Sequence, residues 1–185
     1  KAEIANGNLT YYFKKKSDIV HAIVSNILEK CDQEAHILLK SNSPSYHIAC
    51  LGSFLVMLTV CEDPQIGRMI NDIYEDLDSR FLVSIYLERY YEGYFYVEPK
   101  QILLTEKQAH SLMTADAHAK FGILLDLLQR TTYTPSLNEI LDMAETDFLL
   151  TSRICSIEDE KALEAIQLSK AILEKRNYKG VVLEF

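Results

Sequence analysis

Gly7, Asn8, Leu9, Thr10, Tyr11, Tyr12, Phe13, Lys14, Lys15 and Lys16 bring hydrogen-bonding, aromatic and cationic side chains into one short stretch. At 3.6 residues per turn that stretch is under three helical turns. The combination suits contact with a polyanion better than bond-making chemistry. A helix that enters a DNA groove needs small or polar residues at its front, cations near phosphates and apolar residues behind it. Gly7 permits close approach, Asn8 and Thr10 can hydrogen-bond phosphate or base, and Tyr11 and Tyr12 add flat area with a hydroxyl. Lys14 and Lys16 can neutralise phosphates and release counterions, while Leu9 and Phe13 can anchor inward.

Other chemistry finds little support. No glycine-rich phosphate loop, nucleophile elbow or zinc-protease motif occurs, and no carboxylate pair stands out as catalytic. The chain therefore reads as a non-enzyme with no cofactor. His110 and His118 are eight residues apart, too far to share a metal on one straight helix, and His47 with Cys50 has no third ligand in view. No metal is expected. Cys31, Cys50, Cys61 and Cys155 are widely spaced and read as buried free thiols. No apolar run approaches the roughly 20 residues that span a bilayer.

Charge separates the chain into two parts. The net charge is −8, yet residues 1–30 hold five lysines against three acids, a balance of +2, so residues 31–185 carry −10. An acidic body repels nucleic acid, which confines any DNA contact to the basic front.

The elements that would hold this front are helical throughout. With 48% hydrophobic residues and only 6 Gly and 4 Pro, long helices are favoured over many short strands. Ser17 with Asp18 predicts a helix start, and Ile19, Val20, Ile23, Val24, Ile27 and Leu28 give its stripe, running to about Lys40. Ser43-Pro44 and Asp63-Pro64 predict two further starts, the first opening an almost wholly apolar helix over 48–60. The 78–97 segment is aromatic-rich. Thr105 with Gln108 resembles a capping box, with a helix to about Arg130. Thr134-Pro135 and Ser156 with Asp159 predict the last two, the final one ending near Tyr178-Lys179-Gly180. The expectation is an all-α chain of about eight helices.

Tyr86, Tyr90 and Tyr94 recur at i, i+4, i+8 and form a wall suited to a flat or lipophilic molecule. Leu137, Ile140, Leu141 and Phe148 share one helical face. Ala162, Ala165, Ile166, Ser169, Ile172 and Leu173 form another, small enough at its start for close helix approach. Together the two faces suit a four-helix bundle across a twofold axis, or equally a core inside one subunit.

The order Gly7-Asn8-Leu9-Thr10-Tyr11-Tyr12-Phe13-Lys14-Lys15-Lys16-Ser17-Asp18-Ile19 resembles the recognition helix of the tetracycline-repressor (TetR) family of bacterial regulators. The resemblance covers about a tenth of the chain. It implies that residues 1–16 are the remnant of a helix-turn-helix domain, with the recognition helix at about 6–13 and the family's first helix and most of its second missing. Residues 17–40 would be a connecting helix, and 41–185 a ligand-binding and dimerisation domain. By position, Asn8, Tyr12 and Lys16 would hold phosphates and Thr10 and Tyr11 would face the major groove. The family's effector cavity would be lined by Tyr86, Tyr90, Tyr94, Phe81, Met57 and Phe121. The implied protein is a cytoplasmic, homodimeric, ligand-responsive repressor on a near-palindromic operator, its effector small and apolar or aromatic. The alternative is a helical ligand-binding or interaction domain that does not act on DNA.

Overall fold

The computed structural model describes residues 15–39, 42–76, 79–94 and 105–183, which form seven α-helices with no strand among the described residues. They are α1 (Lys16–Leu38), α2 (Ser45–Glu62), α3 (Pro64–Asp76), α4 (Ser79–Tyr94), α5 (Glu106–Arg130), α6 (Leu137–Ile154) and α7 (Asp159–Lys175). The expected all-α class is the observed one. The residues proposed to read DNA, Asn8, Thr10, Tyr11, Tyr12 and Lys14, lie outside the described residues, as does the side chain of Lys16.

α2 is the central element. It is apolar on all sides, with Cys50, Leu51, Phe54, Leu55 and Leu58 at 1% exposure or less, so no single face can be left to water. It is satisfied by packing against α1 on one side and α6 and α7 on others, while α5 joins α4 to α6. Its 18 residues are long and apolar enough to cross a membrane. The neighbours that bury it here give it the position of a core helix.

Helix starts follow the expected chemistry in part. Thr105 and Gln108 form the reciprocal box, Thr105 Oγ1 accepting from Gln108 N–H at 3.3 Å and Gln108 Oε1 accepting from Thr105 N–H at 2.9 Å. Asp63 Oδ1 accepts the Gln65 N–H at 2.8 Å, with Pro64 opening α3. Four starts differ. Pro44, and not Ser43, is the N-cap of α2, which begins at Ser45. Ser17 lies inside α1, because Asp18 Oδ2 takes the Lys15 N–H at 3.0 Å and starts the helix two residues earlier, with Lys15 as its N-cap. α6 is capped by Ser136, boxed with Glu139, and not by Thr134. Ser156 does not cap α7, whose N-cap is Glu158.

The reason for Ser156 lies in how α6 ends. Ile157 N–H donates to Ser152 O at 2.7 Å and Ser156 N–H to Arg153 O at 3.2 Å, the paired bonds of a Schellman stop. Ser156 is the left-handed residue of that stop, at φ 56°. Thr132 ends α5 in the same way at φ 54°, and Asn177 ends α7 at φ 54°. Asn177 and Tyr178, rather than Gly180, are therefore the left-handed residues after the last helix.

Gly180 has another task. A Cβ at this position would lie 2.7 Å from both Cα and N of Thr59, so only glycine lets the chain touch α2 there. The next residue, Val181, donates its N–H to Thr59 Oγ1 at 2.9 Å, and Val181 and Leu183 pack against the core. The tail up to Leu183 is thus docked onto α2.

Candidate ligand cavity

A cavity of about 100 Å³ lies where five helices meet. α1 supplies Leu28 and Asp32, α2 runs past it from Ile48 to Met57, α4 brings Tyr86, α5 brings Lys120, Phe121 and Leu124, and α6 brings Asp147, Phe148 and Thr151. Tyr86 and Phe121 meet edge to face, with ring centroids 6.3 Å apart. Three of the six residues expected to line a pocket, Met57, Tyr86 and Phe121, are on its wall. Phe81 is half-buried against the core but does not line it. The side chains of Tyr90 and Tyr94 lie outside the described residues. A depression of about 360 Å³ between the end of α2 and residues 134–140 is larger. It is open and holds no buried charge, so it offers less chemistry.

The cavity's polar end is a buried charge cluster. Lys120 Nζ donates to Asp147 Oδ2 at 2.9 Å and stands 4.0 Å from Asp116 Oδ2. Asp116 Oδ1 accepts from Thr151 Oγ1 at 3.0 Å. Lys120 Nζ also lies 5.9 Å from the centre of the Tyr86 ring, a cation–π contact. Asp116 is 0% exposed, Asp147 2% and Lys120 8%. Burial would by itself strip the Lys120 proton, but Asp147 first, then Tyr86 and Asp116, hold its pKa above the ordinary lysine value. Lys120 is therefore an ammonium. Burial pushes Asp147 above the usual carboxylate range, against the pull of Lys120 and with a push from Asp116. The Ser53 hydroxyl on α2 donates a hydrogen bond to the same carboxyl and pulls it down again. Asp147 Oδ1 nevertheless has no hydrogen-bond partner among the described residues.

This cluster is absent from the sequence reading, though a signal exists. Ala117, Lys120, Phe121 and Leu124 follow i, i+3, i+4, i+7, and so do Ala144, Asp147, Phe148 and Thr151. A charge standing in the register of an apolar stripe is placed indoors by its neighbours. Asp116 and Lys120 are also spaced i, i+4 on one helix face.

The faces assigned to a dimer lie elsewhere than expected of an interface. Ile140, Phe148, Ala162, Ala165, Ile166, Ser169 and Leu173 are all at 5% exposure or less inside the single chain. They join α6 and α7 to α2. Leu141 and Ile172 are half-buried against the same core, and Leu137, at 40% exposure, is the most open of the ten.

The four thiols are free, and three of them are buried, with Cys155 half-buried. Burial pushes Cys31 up to about 11 and Cys50, Cys61 and Cys155 up to about 12, so none is a nucleophile near neutral pH. No group of three or more His, Cys, Asp or Glu among the described residues is arranged to hold a metal ion.

Comparison with known proteins adds no relative: no protein-family model, curated protein or solved structure matches this chain. The reading of function therefore rests on the residues and their geometry.

Proposed function

We propose that the chain is a ligand-responsive DNA-binding regulator, a homodimeric repressor of the tetracycline-repressor kind, with its reading head in the Gly7–Lys16 stretch. One observation supports this most. α1 begins at Lys16, where the basic stretch ends, and its other half forms a wall of the cavity through Leu28 and Asp32. Its 23 residues make a rod of about 35 Å. A molecule in the cavity touches the same rod that carries the reading head.

The rod is also strapped to its neighbours. Arg89 of α4 reaches Asp32 at 3.5 Å, and His21 Nε2 meets Glu88 at 3.0 Å. Arg176 at the end of α7 pairs with Glu34. Tyr86, one turn before Arg89 on α4, lines the cavity. A ligand that favours one setting of α1 against α4 would shift the population of reading-head positions, by no more than its difference in affinity for the two. Couplings of this kind are typically about 1–3 kcal/mol. Because Ile140, Phe148 and the small residues of α7 are spent within one chain, a second subunit would meet the outer sides of α6 and α7, where Leu137 and Leu163 are exposed.

A helical ligand-binding module that leaves DNA alone would use the same cavity, and DNA binding separates the two readings. Full-length protein should bind the DNA upstream of its own gene in a fluorescence-anisotropy titration. Lys16→Ala should weaken that binding and lower its salt slope by about one ion. Tyr12→Phe should weaken it less. Unchanged affinity and slope in both variants would remove the phosphate contacts, and with them the regulator reading.

A further inference from the structure

We infer that the cavity takes a small neutral carbonyl compound, a ketone, ester or lactone on a compact alkyl body, with its oxygen accepting N–H bonds from Lys120. The inference rests on the ligand-responsive reading of the same cavity, and names the class of effector.

Lys120 has hydrogen bonds to give. An ammonium carries three N–H donors. One goes to Asp147 Oδ2 at 2.9 Å, and Asp116 Oδ2, at 4.0 Å, is beyond hydrogen-bond reach. The other two have no acceptor among the described residues. The ammonium stands between two residues of the cavity wall, Asp147 on α6 and Tyr86 on α4, whose ring centre is 5.9 Å away. Lys120 lines the cavity itself and is the least buried of the three charged groups in the cluster.

The site lacks an acceptor and not a donor. Lys120 and Ser53 already donate to Asp147, and Thr151 donates to Asp116. A ligand hydroxyl or amine would bring one more donor to carboxyl groups that are already served. A carbonyl oxygen brings two lone pairs and no donor.

Charge favours a neutral ligand. Asp116, 4.0 Å away, already balances the ammonium, with or without a proton on Asp147. An added anion would face Asp116 and, on the opposite wall, the Asp32 that Arg89 engages. An added cation would face Lys120. Either would leave water without gaining a free counter-charge, which is costly.

Shape selects the body. Leu28, Val56, Met57, Leu124 and Phe148 make the rest of the wall apolar, as pockets that orient a ligand by a few polar groups usually are. The volume of about 100 Å³ is below the 150 Å³ of an engineered cavity that admits benzene. A ligand of about five heavy atoms fits without rearrangement.

The test uses the 185-residue chain and three molecules of one shape: butanone, propanoate and sec-butylammonium. Titration followed by the ¹³C-methyl resonance of Met57 should show butanone binding at least tenfold tighter than either ion. Equal affinities, or an ion binding best, would overturn the assignment. Shifts confined to Met69, Met113 and Met143 would place the ligand elsewhere and overturn it too. The ¹⁵Nζ resonance of Lys120 should move with the same midpoint, and the infrared carbonyl stretch of bound butanone should lie below its position in hexane. A still ¹⁵Nζ, or a stretch at the hexane position, would mean a merely greasy cavity and overturn the carbonyl contact. Lys120→Met should return the stretch to the hexane position. Should that variant not fold, the ¹⁵Nζ shift in the unaltered chain decides. Gly52 lines the cavity and a Cβ there meets no atom within 4 Å, so Gly52→Leu should block butanone in a folded chain. Undiminished binding to that variant would overturn the site. Butanone bound at Met57 and Lys120 with no effect on DNA affinity would sustain this assignment while removing the regulator reading. An operator released by other compounds, with butanone failing to bind, would do the reverse.

Discussion

α2 carries a polar site on each of two sides, and they are built on opposite terms. At Thr59 the hydroxyl is fully engaged. It donates to Leu55 O at 2.6 Å, accepts the Val181 N–H at 2.9 Å and lies 3.6 Å from Cys31 Sγ. Gly180 closes the gap, leaving no room even for a methyl group. Around Ser53 and Asp147 the opposite holds. There is a cavity, and the Lys120 ammonium on its wall keeps two N–H groups without an acceptor among the described residues. A closed, satisfied polar site fixes a chain, whereas an open and unsatisfied one is where a ligand has something to supply. The contrast separates the end of α2 that holds the tail from the stretch that borders the cavity.

The comparison can be broken most severely at Lys120. Lys120→Met leaves two buried carboxylates facing each other, and removing one partner of a buried pair typically costs about 3–5 kcal/mol. Urea denaturation should show that loss. A loss under about 1 kcal/mol would mean that the cluster is hydrated.

A smaller effect is expected at the closed end. Gly180→Ala forces a methyl group into the Thr59 backbone, and overpacking of this kind costs about 1–3 kcal/mol. The tail should become more open to carboxypeptidase, while the ranking of the three small ligands stays the same. If ligand binding falls as well, the two ends of α2 are coupled and the division fails.

The smallest effects are in the thiols, which compare the two sites directly. Cys31 sits beside Thr59, and Cys50 lies on α2 within reach of Ser169. Burial raises both above the ordinary thiol value of 9.0, to about 11 and about 12. A raised folded value means stability that is full below pH 9 and declines as pH climbs through those values, because the unfolded chain gives up its thiol protons first. Melting temperature should therefore fall above about pH 9 and be insensitive to the thiols between pH 6 and 8. At pH 8 the folded chain should resist a thiol reagent such as dithionitrobenzoate at both positions. Faster modification of Cys50 than of Cys31 would show that the cavity side admits small molecules. Equal rates that track unfolding would show that neither side opens.

Much of the architecture was legible in the residues. The apolar run of 48–60, the Asp63-Pro64 start and the Thr105–Gln108 box appear where their chemistry places them. The helix stops were less legible. With few glycines to spend, the chain uses Thr132, Ser156 and Asn177 at left-handed positions, and those residues carry no unambiguous stop signal. Gly180 invites the opposite error, since a glycine after a helix reads as a cap. Its real constraint is the Thr59 backbone, 121 positions earlier in the chain.

The same division holds for the site. Sequence alone determined that the chain is helical and that its basic residues gather at the front, because these follow from local periodicity and composition, whereas Met57 and Phe121 were named as pocket residues only by the family resemblance. It also offered two uses for the small face of α7, a second subunit or a core, and in the described helices that face is buried within one chain. Only the tertiary structure could bring Asp116 and Lys120 of α5 to Asp147 of α6 and leave Lys120 with N–H groups to spare. Pairing between helices depends on which faces meet and how far they are turned, and a one-dimensional pattern does not contain that angle.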